Sequence, residues 1–421
     1  MRIGQLAAII GGLSLAVPLQ AEEPARPLSK LKVALHLHST VSTGTLEPYQ
    51  IVRLAKEAGV DAVIFTDSAQ RRWEYGLWPV RGLVKRVIEQ PSVMTFGPDR
   101  YLQTIHGLNG PGHGILALPG LEAAPFYYWR RSPFDRLGGE IRGWSQHLLV
   151  FGLNDPRAIQ QLPLETDDPY HGNQGARPFQ RFIDYVVEQG GLVFWAHPVT
   201  GHRGRYGVVE DYTEPYPHLL ELTEGYHGFA LTYVGYLFLA DPGGVWDRLL
   251  LAYCRGARAR PVWVIGELDW RGPQERPLAM VITEMLVAER SSASILDALR
   301  AGRMWVLFHT GVHAPELDSF DLTDVHTQSR ATVGEWLSAT GPIRIHLAGY
   351  QDSDADHPAT LTLIRDGEVV EQRELRDGRF DAEWSVEPPT HAGFYRVIVT
   401  GSSGFIYTNP VFVRPAATQT H

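Results

Sequence analysis

Cysteine is almost absent from this 421-residue chain, and Cys254 is the only one. A single cysteine excludes an intramolecular disulfide, so a hydrophobic core must hold the folded state together. Positive charge is also scarce. The 38 lysines and arginines are outnumbered by 47 aspartates and glutamates, which gives a formal net charge of −9. This balance argues against a nucleic-acid partner and against a polybasic membrane contact, because both need clustered cations.

The sequence also lacks an apolar run long enough for an ordinary membrane span. Residues 1–21 contain Arg2, a small and apolar stretch from Leu6 to Val17, and Ala21 before two glutamates. This arrangement is typical of a cleaved signal peptide. We therefore expect a periplasmic or secreted protein that keeps no integral membrane segment after cleavage. Nothing in the sequence indicates an oligomeric state.

From Lys30 to about Leu307, strand-like apolar runs alternate with helical stretches. Strands rich in Val, Ile and Leu that are separated by helices predict parallel pairing, buried on both faces. About seven such units favour a closed or distorted β/α barrel over an open sheet. The predicted strands lie near residues 31–37, 61–67, 115–122, 147–153, 192–198, 219–225, 261–269, 278–288 and 304–308, and the predicted helices include 47–59, 79–90, 178–189 and 294–303.

The pattern changes after about Pro315. Between residues 343 and 414, short runs alternate apolar and polar residues and are separated by Gly, Asp and Pro turns. This spacing predicts an antiparallel β-sandwich of about a hundred residues. The expected organisation is therefore an α/β barrel over residues 28–312, followed by an accessory β-sandwich domain over residues 316–417.

Side chains that can bind metals lie at the ends of the predicted strands. His36 and His38 are two apart in one strand, so both project to the same face. One strand cannot complete a metal site, but the carboxyl ends of parallel strands meet at one mouth of a barrel. Further candidates at successive strand ends are Asp67, Glu122, His197 and Asp269, together with His147, which precedes its apolar run instead of following it.

Each of these residues alone has an ordinary structural explanation. A carboxylate at a strand end often caps a helix, and a histidine in an apolar run is often a satisfied core residue. Their joint occurrence at successive strand ends favours a metal site. Imidazole and carboxylate ligands without thiolate suit zinc, manganese or iron, so we expect one or two divalent ions that activate water for hydrolysis of a small-molecule substrate.

Several short segments carry a resemblance to a known family. They are HLHSTVSTG (36–44), IFTDS (64–68), LPGLE (118–122), QHLLVFGL (146–153), FWAHP (194–198), GELDWRG (266–272) and ILDALRAGRMWV (295–306). In this order they resemble the polymerase-and-histidinol-phosphatase (PHP) superfamily of metal-dependent phosphoesterases. With the β-sandwich after it, the layout is similar to a secreted branch that includes carbaryl hydrolase-like (CehA/McbA) metallohydrolases. The resemblance implies a distorted (β/α)7-type barrel over roughly residues 30–310.

The resemblance also implies a ligand set. The positions that match ligands of one metal, with Glu122 placed to bridge, are His36, His38, Glu122 and Asp269, and those that match ligands of a second metal are His147 and His197. Three positions that would hold a third metal depart from the family pattern together, and they are Thr43, Ser68 and Arg271. The resemblance therefore implies at most two metals.

Three further residues are candidates for catalytic roles. Arg271 can supply positive charge where the third cation would lie. Asp67 can orient a ligating imidazole or handle a proton, and a purely structural role is an equal alternative. His202 can act as an acid for the leaving group or can be an ordinary surface histidine. Glu267 is an alternative to Asp269 as a ligand, because strand alternation puts both on one face, where one can ligate and the other can support a ligand. The family pattern favours Asp269 as the ligand.

Three functions stay open at this point. The first is a periplasmic metal-dependent phosphoesterase, which the family resemblance favours. The second is a carboxyl ester or carbamate hydrolase on the same metals, which aromatic residues after the predicted strands favour. The third is a non-catalytic module that binds a ligand through a degenerate site. Arginines in the same loops, which suit a phosphate, are Arg71, Arg72, Arg203 and Arg205.

Overall fold

The structure of the protein is a computed structural model that describes residues 28–77, 80, 83–110, 114–134, 136, 138–164, 172–232, 237–309, 314–351, 358–375 and 378–416. The predicted signal peptide at residues 1–21 lies outside these ranges and stays a prediction. Within them the protein is mixed α/β and largely sheet. None of the described helices has both the length and the apolar character that a membrane crossing requires.

The first part of the chain contains most of the helices. Its strands are β1 (Ser29–Leu37), β2 (Ala62–Phe65), β3 (Arg71–Gly76), β4 (Lys85–Gln90), β5 (Leu116–Ala123), β6 (Tyr128–Arg131), β7 (Gly139–Arg142), β8 (Leu148–Phe151), β9 (Leu192–Trp195), β10 (His202–Tyr206), β11 (Val209–Thr213), β12 (Gly228–Leu231), β13 (Trp263–Gly266), β14 (Val281–Val287) and β15 (Met304–His309). The helices are α1 (Pro48–Glu57), α2 (Val93–Phe96), α3 (Pro98–His106), α4 (Pro156–Gln160), α5 (Arg177–Glu188), α6 (His218–Leu222), α7 (Leu237–Ala240), α8 (Val245–Cys254) and α9 (Ser292–Ala301), with a 3-10 turn at Gly107–Asn109.

The central strands follow the order β13-β12-β9-β8-β5-β2-β1-β14-β15. β2, β9, β12 and β13 are buried along their whole length, as expected for strands covered on both faces. The segment after β13 returns to β1. The backbone N–H of Trp270 donates to the carbonyl of His36 at 3.0 Å, and the N–H of His38 donates to the carbonyl of Trp270 at 2.9 Å. The two ends of the series from β13 to β1 therefore lie next to each other.

The prediction of parallel pairing is wrong for β14, which pairs antiparallel with β1 and with β15. A third strand that departs from this prediction, after β14 and β15, is β8. It pairs antiparallel with both β5 and β9, whereas β1, β2 and β5, and likewise β9, β12 and β13, pair in parallel. A parallel neighbour needs a crossover connection, usually a helix. The chain between β5 and β8 instead forms β6 and β7 in a separate sheet, so β8 enters where β5 leaves. His147 at the start of β8 therefore lies at the same edge as the carboxyl ends of its neighbours.

Two predicted elements differ in type. Residues 85–90, within the predicted helix 79–90, form β4, and residues 79, 81 and 82 lie outside the described ranges. Ile88 and Val87 of β4 lie opposite Trp73 and Glu74 of β3. A β-branched residue opposite an aromatic one, as in the Ile88–Trp73 pair, stabilises a β-sheet. The predicted strand at 219–225 is instead occupied by α6, and the strand follows at Gly228–Leu231. Short apolar runs fit either element, and here tertiary packing decides.

Small sheets cover the edge at which these strands end. β10, β11, β7 and β6 form a four-stranded sheet, and β3 pairs with β4. Trp73, Tyr127, Ile141, Trp144 and Val209 pack between them as a small core that is separate from the main one. This covering layer forms one wall of the cavity described below.

The remaining strands are β16 (Glu316–Asp324), β17 (Arg330–Thr332), β18 (Trp336–Ala339), β19 (Ile343–Gln351), β20 (Ala359–Arg365), β21 (Glu368–Leu375), β22 (Gly378–Val386), β23 (Gly393–Gly401), β24 (Gly404–Thr408) and β25 (Val411–Pro415). One sheet has the order β17-β16-β19-β22. The other strands follow the order β24-β23-β20-β21, and β25 pairs with both β23 and β18. Pairing is antiparallel except between β18 and β25. β24 also pairs with β15, so the sheet continues from the first part of the chain into the second. The division at residues 312–316 stays a prediction.

A buried ion pair joins the two parts. The guanidinium of Arg396 on β23 contacts both carboxylate oxygens of Asp247 on α8 at 2.7 Å. It also donates to the carbonyl of Ala240 and lies 4.8 Å from the ring centre of Trp246. Arg396 is fully buried, so its removal leaves an uncompensated charge inside the protein.

We expect Arg396→Met to lower the free energy of unfolding by about 3–5 kcal/mol, because Asp247 would remain buried without a partner. Urea denaturation of the full chain measures this change. Arg373→Ala is the control, since Arg373 is 41% exposed in its pair with Glu371 and such pairs contribute about 1 kcal/mol or less. Equal losses of unfolding free energy in the two variants would show that the buried Arg396–Asp247 pair does not stabilise the contact between β23 and α8.

Candidate metal centre

The structure brings all six predicted metal ligands together at one edge of the central strands. They form two clusters that share a carboxylate, and within each cluster the possible ligand atoms lie within 4.8 Å of one another. The first cluster consists of His36, His38, Glu122 and Asp269, and the second cluster consists of Glu122, His147 and His197.

The backbone is strained at three of these residues. His36, His197 and Asp269 have positive φ angles of 63°, 28° and 44°. Residues other than glycine rarely adopt this region, and such strain concentrates at functional sites. At His36 the pairing of β1 with β2 also shifts register between Leu35 and Leu37. The surrounding hydrogen bonds therefore hold these positions in a conformation that their residue types do not prefer.

Glu122 lies at the centre of both clusters. Its Oε1 is 2.6 Å from His147 Nδ1, 3.1 Å from His36 Nε2 and 3.6 Å from His197 Nε2. Its Oε2 is 3.5 Å from His38 Nε2. Burial opposes ionisation of Glu122, but His147 and His38 beside it hold its pKa well below the usual range. Glu122 is therefore an ionised carboxylate that can bridge two cations.

Hydrogen bonds fix the tautomer of His38. The hydroxyl of Ser42 donates its one proton to Asp67 Oδ1 at 2.7 Å, so it accepts from His38 Nδ1 at 3.2 Å. In the neutral imidazole, His38 Nε2 then carries a lone pair, and it lies 3.4 Å from Asp269 Oδ1 and 3.5 Å from Glu122 Oε2. His38 Nε2 is buried and lacks a hydrogen-bond partner among the described residues. A buried imidazole lone pair that faces two carboxylates fits a cation.

The loop that supplies Ser42 requires a glycine. A Cβ at Gly44 would lie 2.0 Å from the carbonyl oxygen of His38, because the loop folds back onto that residue. The backbone N–H of Gly44 donates to the carbonyl of Ser39 at 2.9 Å. The close approach brings the Ser42 hydroxyl between His38 and Asp67.

His36 is held by Glu267. The distance from His36 Nδ1 to Glu267 Oε2 is 2.6 Å, and both side chains are fully buried. Burial alone would lower the pKa of His36, but the charge of Glu267 and the hydrogen bonds to Glu122 and Glu267 raise it to about 10. Without a cation, a proton therefore occupies the Nε2 that faces Glu122. Glu267 Oε1 also accepts from the backbone N–H of His197 at 2.7 Å.

The second cluster is arranged in the same way. His197 Nε2 is 3.3 Å from His147 Nδ1, and both nitrogens face Glu122. Burial lowers the pKa of His147, which favours the neutral imidazole that metals bind. Four imidazole nitrogens and two carboxylates, with no thiolate, converge in the two clusters, and this donor set fits zinc, manganese or iron.

The three positions that depart from the family's third-metal pattern, Arg271, Ser68 and Thr43, have the following surroundings. The guanidinium of Arg271 contacts both carboxylate oxygens of Asp269, at 2.8 and 3.0 Å. The hydroxyl of Ser68 donates to Glu122 Oε2 at 3.4 Å. The Thr43 hydroxyl is buried and has no partner among the described residues. Arg271 thus brings a fixed positive charge to the first cluster.

The other predicted residues occupy distinct positions. The Asp67 carboxylate accepts from the backbone N–H and hydroxyl of Ser39 as well as from Ser42, so this carboxylate reaches the first cluster only through Ser42. Asp269 belongs to the first cluster, whereas Glu267 supports His36 from behind. His202 Nε2 lies 3.4 Å from Asp211 Oδ2, outside both clusters, and its side chain is 44% exposed.

A cavity of about 240 Å³ opens onto the two clusters. Three arginines line it, Arg71, Arg271 and Arg276, together with His202. Trp144 and Tyr206 line its aromatic side, with ring centres 5.3 Å apart. Among the loop arginines singled out in the sequence, Arg72 pairs with Glu74, and Arg203 and Arg205 are exposed on β10. Trp78, one of the aromatic residues that follow the predicted strands in the sequence, lies outside the described ranges.

Sequence reasoning missed Ser39, Ser42 and Tyr216 as supports of the ligands. The hydroxyl of Tyr216 contacts His197 Nδ1 at 3.2 Å. Tyr216 lies 19 residues from His197, between Pro215 and Pro217, and this local sequence does not indicate a role at the site. Only the tertiary contact identifies it.

No protein-family model and no curated protein matches this sequence. Similar solved structures include a two-domain protein from Bacteroides vulgatus described as containing a predicted PHP-like metal-dependent phosphoesterase, with 14% identity, a TM-score of 0.40 and coverage of 93% of this chain and 100% of that one. A putative metal-dependent phosphoesterase from Bifidobacterium adolescentis is similar at 17% identity and a TM-score of 0.30, over 60% of this chain and 90% of that one. An amidohydrolase from Chromobacterium violaceum with bound sulfate is similar at 15% identity and a TM-score of 0.29, over 58% and 88%. The residues of the site therefore carry the functional conclusion.

Proposed function

We propose that the protein is a metal-dependent phosphoesterase of the PHP superfamily, in its secreted branch, with one cation in each cluster. In this proposal the strands from β1 to β13 form a distorted (β/α)7-type barrel and residues 316–417 an antiparallel β-sandwich. The protein would act in the periplasm or outside the cell, after loss of residues 1–21. The observation that carries the reaction is the cavity, where three arginines face the same space as the two clusters.

The chemistry of this cavity suits an anionic substrate. A guanidinium matches the geometry of phosphate oxygens, and three of them line a small space. When bound, divalent cations would activate a water molecule and offset negative charge that develops on the substrate. His36, His38 and Asp269 would hold one cation and His147 and His197 the other. Glu122 would contact both, and Arg271 would add charge beside Asp269.

A substrate panel tests this proposal. Metal-depleted protein is supplied with Zn²⁺, Mn²⁺ or Fe²⁺ and assayed with 4-nitrophenyl phosphate, bis(4-nitrophenyl) phosphate, 4-nitrophenyl acetate and 1-naphthyl methylcarbamate. We expect hydrolysis of a phosphate ester to exceed that of the other two. The opposite order would support the ester or carbamate hydrolase, which the aromatic wall of Trp144 and Tyr206 favours. No turnover with any metal, despite bound ligand, would point to a non-catalytic module.

Arg271→Ala should lower kcat/KM for the preferred phosphate ester by about 10- to 100-fold, the equivalent of one charge-assisted hydrogen bond. The hydrolysis of a neutral ester should change less, because it offers no anionic oxygen before reaction. Arg205→Ala is the control, since Arg205 is exposed on β10 and does not line the cavity. An equal loss for neutral and anionic substrates would contradict the role given to Arg271.

A further inference from the structure

Tyr216 lies behind the second cluster and is fully buried. Its hydroxyl is 2.5 Å from the carbonyl oxygen of Ala196 and 3.2 Å from His197 Nδ1. The backbone N–H of His147 donates to the same hydroxyl at 3.2 Å. The phenol oxygen of Tyr216 thus contacts His147, just before β8, and both Ala196 and His197, just after β9.

The directions of these hydrogen bonds follow from the groups involved. A phenol has one proton to donate, and its oxygen accepts. The carbonyl of Ala196 can only accept, so it takes the phenol proton, and the N–H of His147 can only donate. His197 Nδ1 must then donate to the phenol oxygen. In the neutral imidazole that a cation binds, the ring proton of His197 is therefore on Nδ1, and the lone pair on Nε2 faces Glu122 Oε1 at 3.6 Å.

We propose that Tyr216 is a positioning residue for the cation of the second cluster. It fixes the tautomer of His197 and the backbone of His147, and these are the two ligands that only the second cluster contains. Ser42 has the corresponding role at His38 in the first cluster. The inference rests on the proposed two-cation site, and it predicts that the two hydroxyls support different cations.

The experiment is a Mn²⁺ titration of the metal-depleted full chain, in which the two binding affinities are resolved by calorimetry and by the EPR signal of free Mn²⁺. Tyr216→Phe keeps the ring that packs 5.7 Å from the Trp195 ring centre and removes only the hydroxyl. We expect it to weaken one of the two affinities by about 10- to 100-fold and to leave the other unchanged. Ser42→Ala should weaken the other affinity by a similar factor, and the double variant should weaken both.

Tyr226→Phe is the matched control. Tyr226 is also fully buried, and its hydroxyl donates to the carbonyl of Leu220 at 2.6 Å, away from the ligands. Both affinities should stay at the wild-type values in this variant. A general loss of packing would lower both affinities together, whereas a positioning role lowers only one.

The outcomes separate this inference from the proposed function. If the wild-type protein binds fewer than two cations, the two-cation site fails and the inference fails with it. If the wild-type protein binds two, the inference alone is overturned when Tyr216→Phe leaves both affinities unchanged, weakens both equally, or weakens the same one as Ser42→Ala.

Discussion

Glu122→Gln is expected to reduce the bound metal from two equivalents to one or none and to lower phosphate-ester turnover by at least about 10³-fold. Its carboxylate contacts both clusters, so its neutralisation removes a ligand from each cation. Bound cations stabilise charge in the transition state by several kcal/mol, and the loss of that stabilisation corresponds to a 10³-fold or larger fall in turnover, about 4 kcal/mol. Elemental analysis of the purified variant and a phosphate-release assay measure the two effects.

Glu284→Gln is the control for this variant. Glu284 is a buried glutamate on β14, but it pairs with Lys30 and accepts from the Trp305 indole, outside both clusters. It should retain two metal equivalents and wild-type turnover. Circular dichroism should show that both variants are folded. A folded Glu122→Gln protein with full activity would refute the placement of the active site.

The affinity of the first cluster for a cation should rise steeply with pH. His36 has a pKa raised to about 10, so in the metal-free protein it is protonated across the neutral range. A cation must displace that proton, and each pH unit below the pKa therefore costs about tenfold in affinity. Between pH 8 and pH 6 we expect a weakening of about 100-fold. Calorimetry with Mn²⁺ in buffers of different ionisation enthalpy counts the released protons.

Glu267→Gln tests the cause of this dependence. The charge of Glu267 is the largest influence that raises the pKa of His36, so its removal should lower that pKa toward the normal value. The affinity should then depend less on pH near neutrality, although its value falls because His36 is held less firmly. An affinity for Mn²⁺ that does not change with pH in the wild-type protein would contradict the protonated state of His36.

Much of the candidate site is predictable from the sequence because its ligands are local to strand ends. His36 and His38 share a face by strand alternation, and Glu122, His197 and Asp269 follow or end apolar runs. The structure places them in two clusters with His147, although His147 precedes its strand. That misfit disappears once β8 is antiparallel, which depends on how the chain between β5 and β8 folds and not on the strand itself.

Of the supports of the ligands, Glu267 is predictable because strand alternation places it on the same face as Asp269. Tyr216 is not predictable, because it acts through tertiary hydrogen bonds to His147 and His197 that leave no period or spacing in the sequence. The positive φ angles of His36, His197 and Asp269 are likewise imposed by their surroundings. The wrong element types at 85–90 and 219–225 have a related cause, since short apolar segments take the conformation that their neighbours provide.

Anomalous scattering from crystals grown with Mn²⁺ tests the two-cation site most directly. We expect two peaks, one among His36, His38 and Asp269 and one between His147 and His197, with Glu122 in contact with both. No peak at Glu122, or a third peak beside Thr43, Ser68 and Arg271, would contradict it.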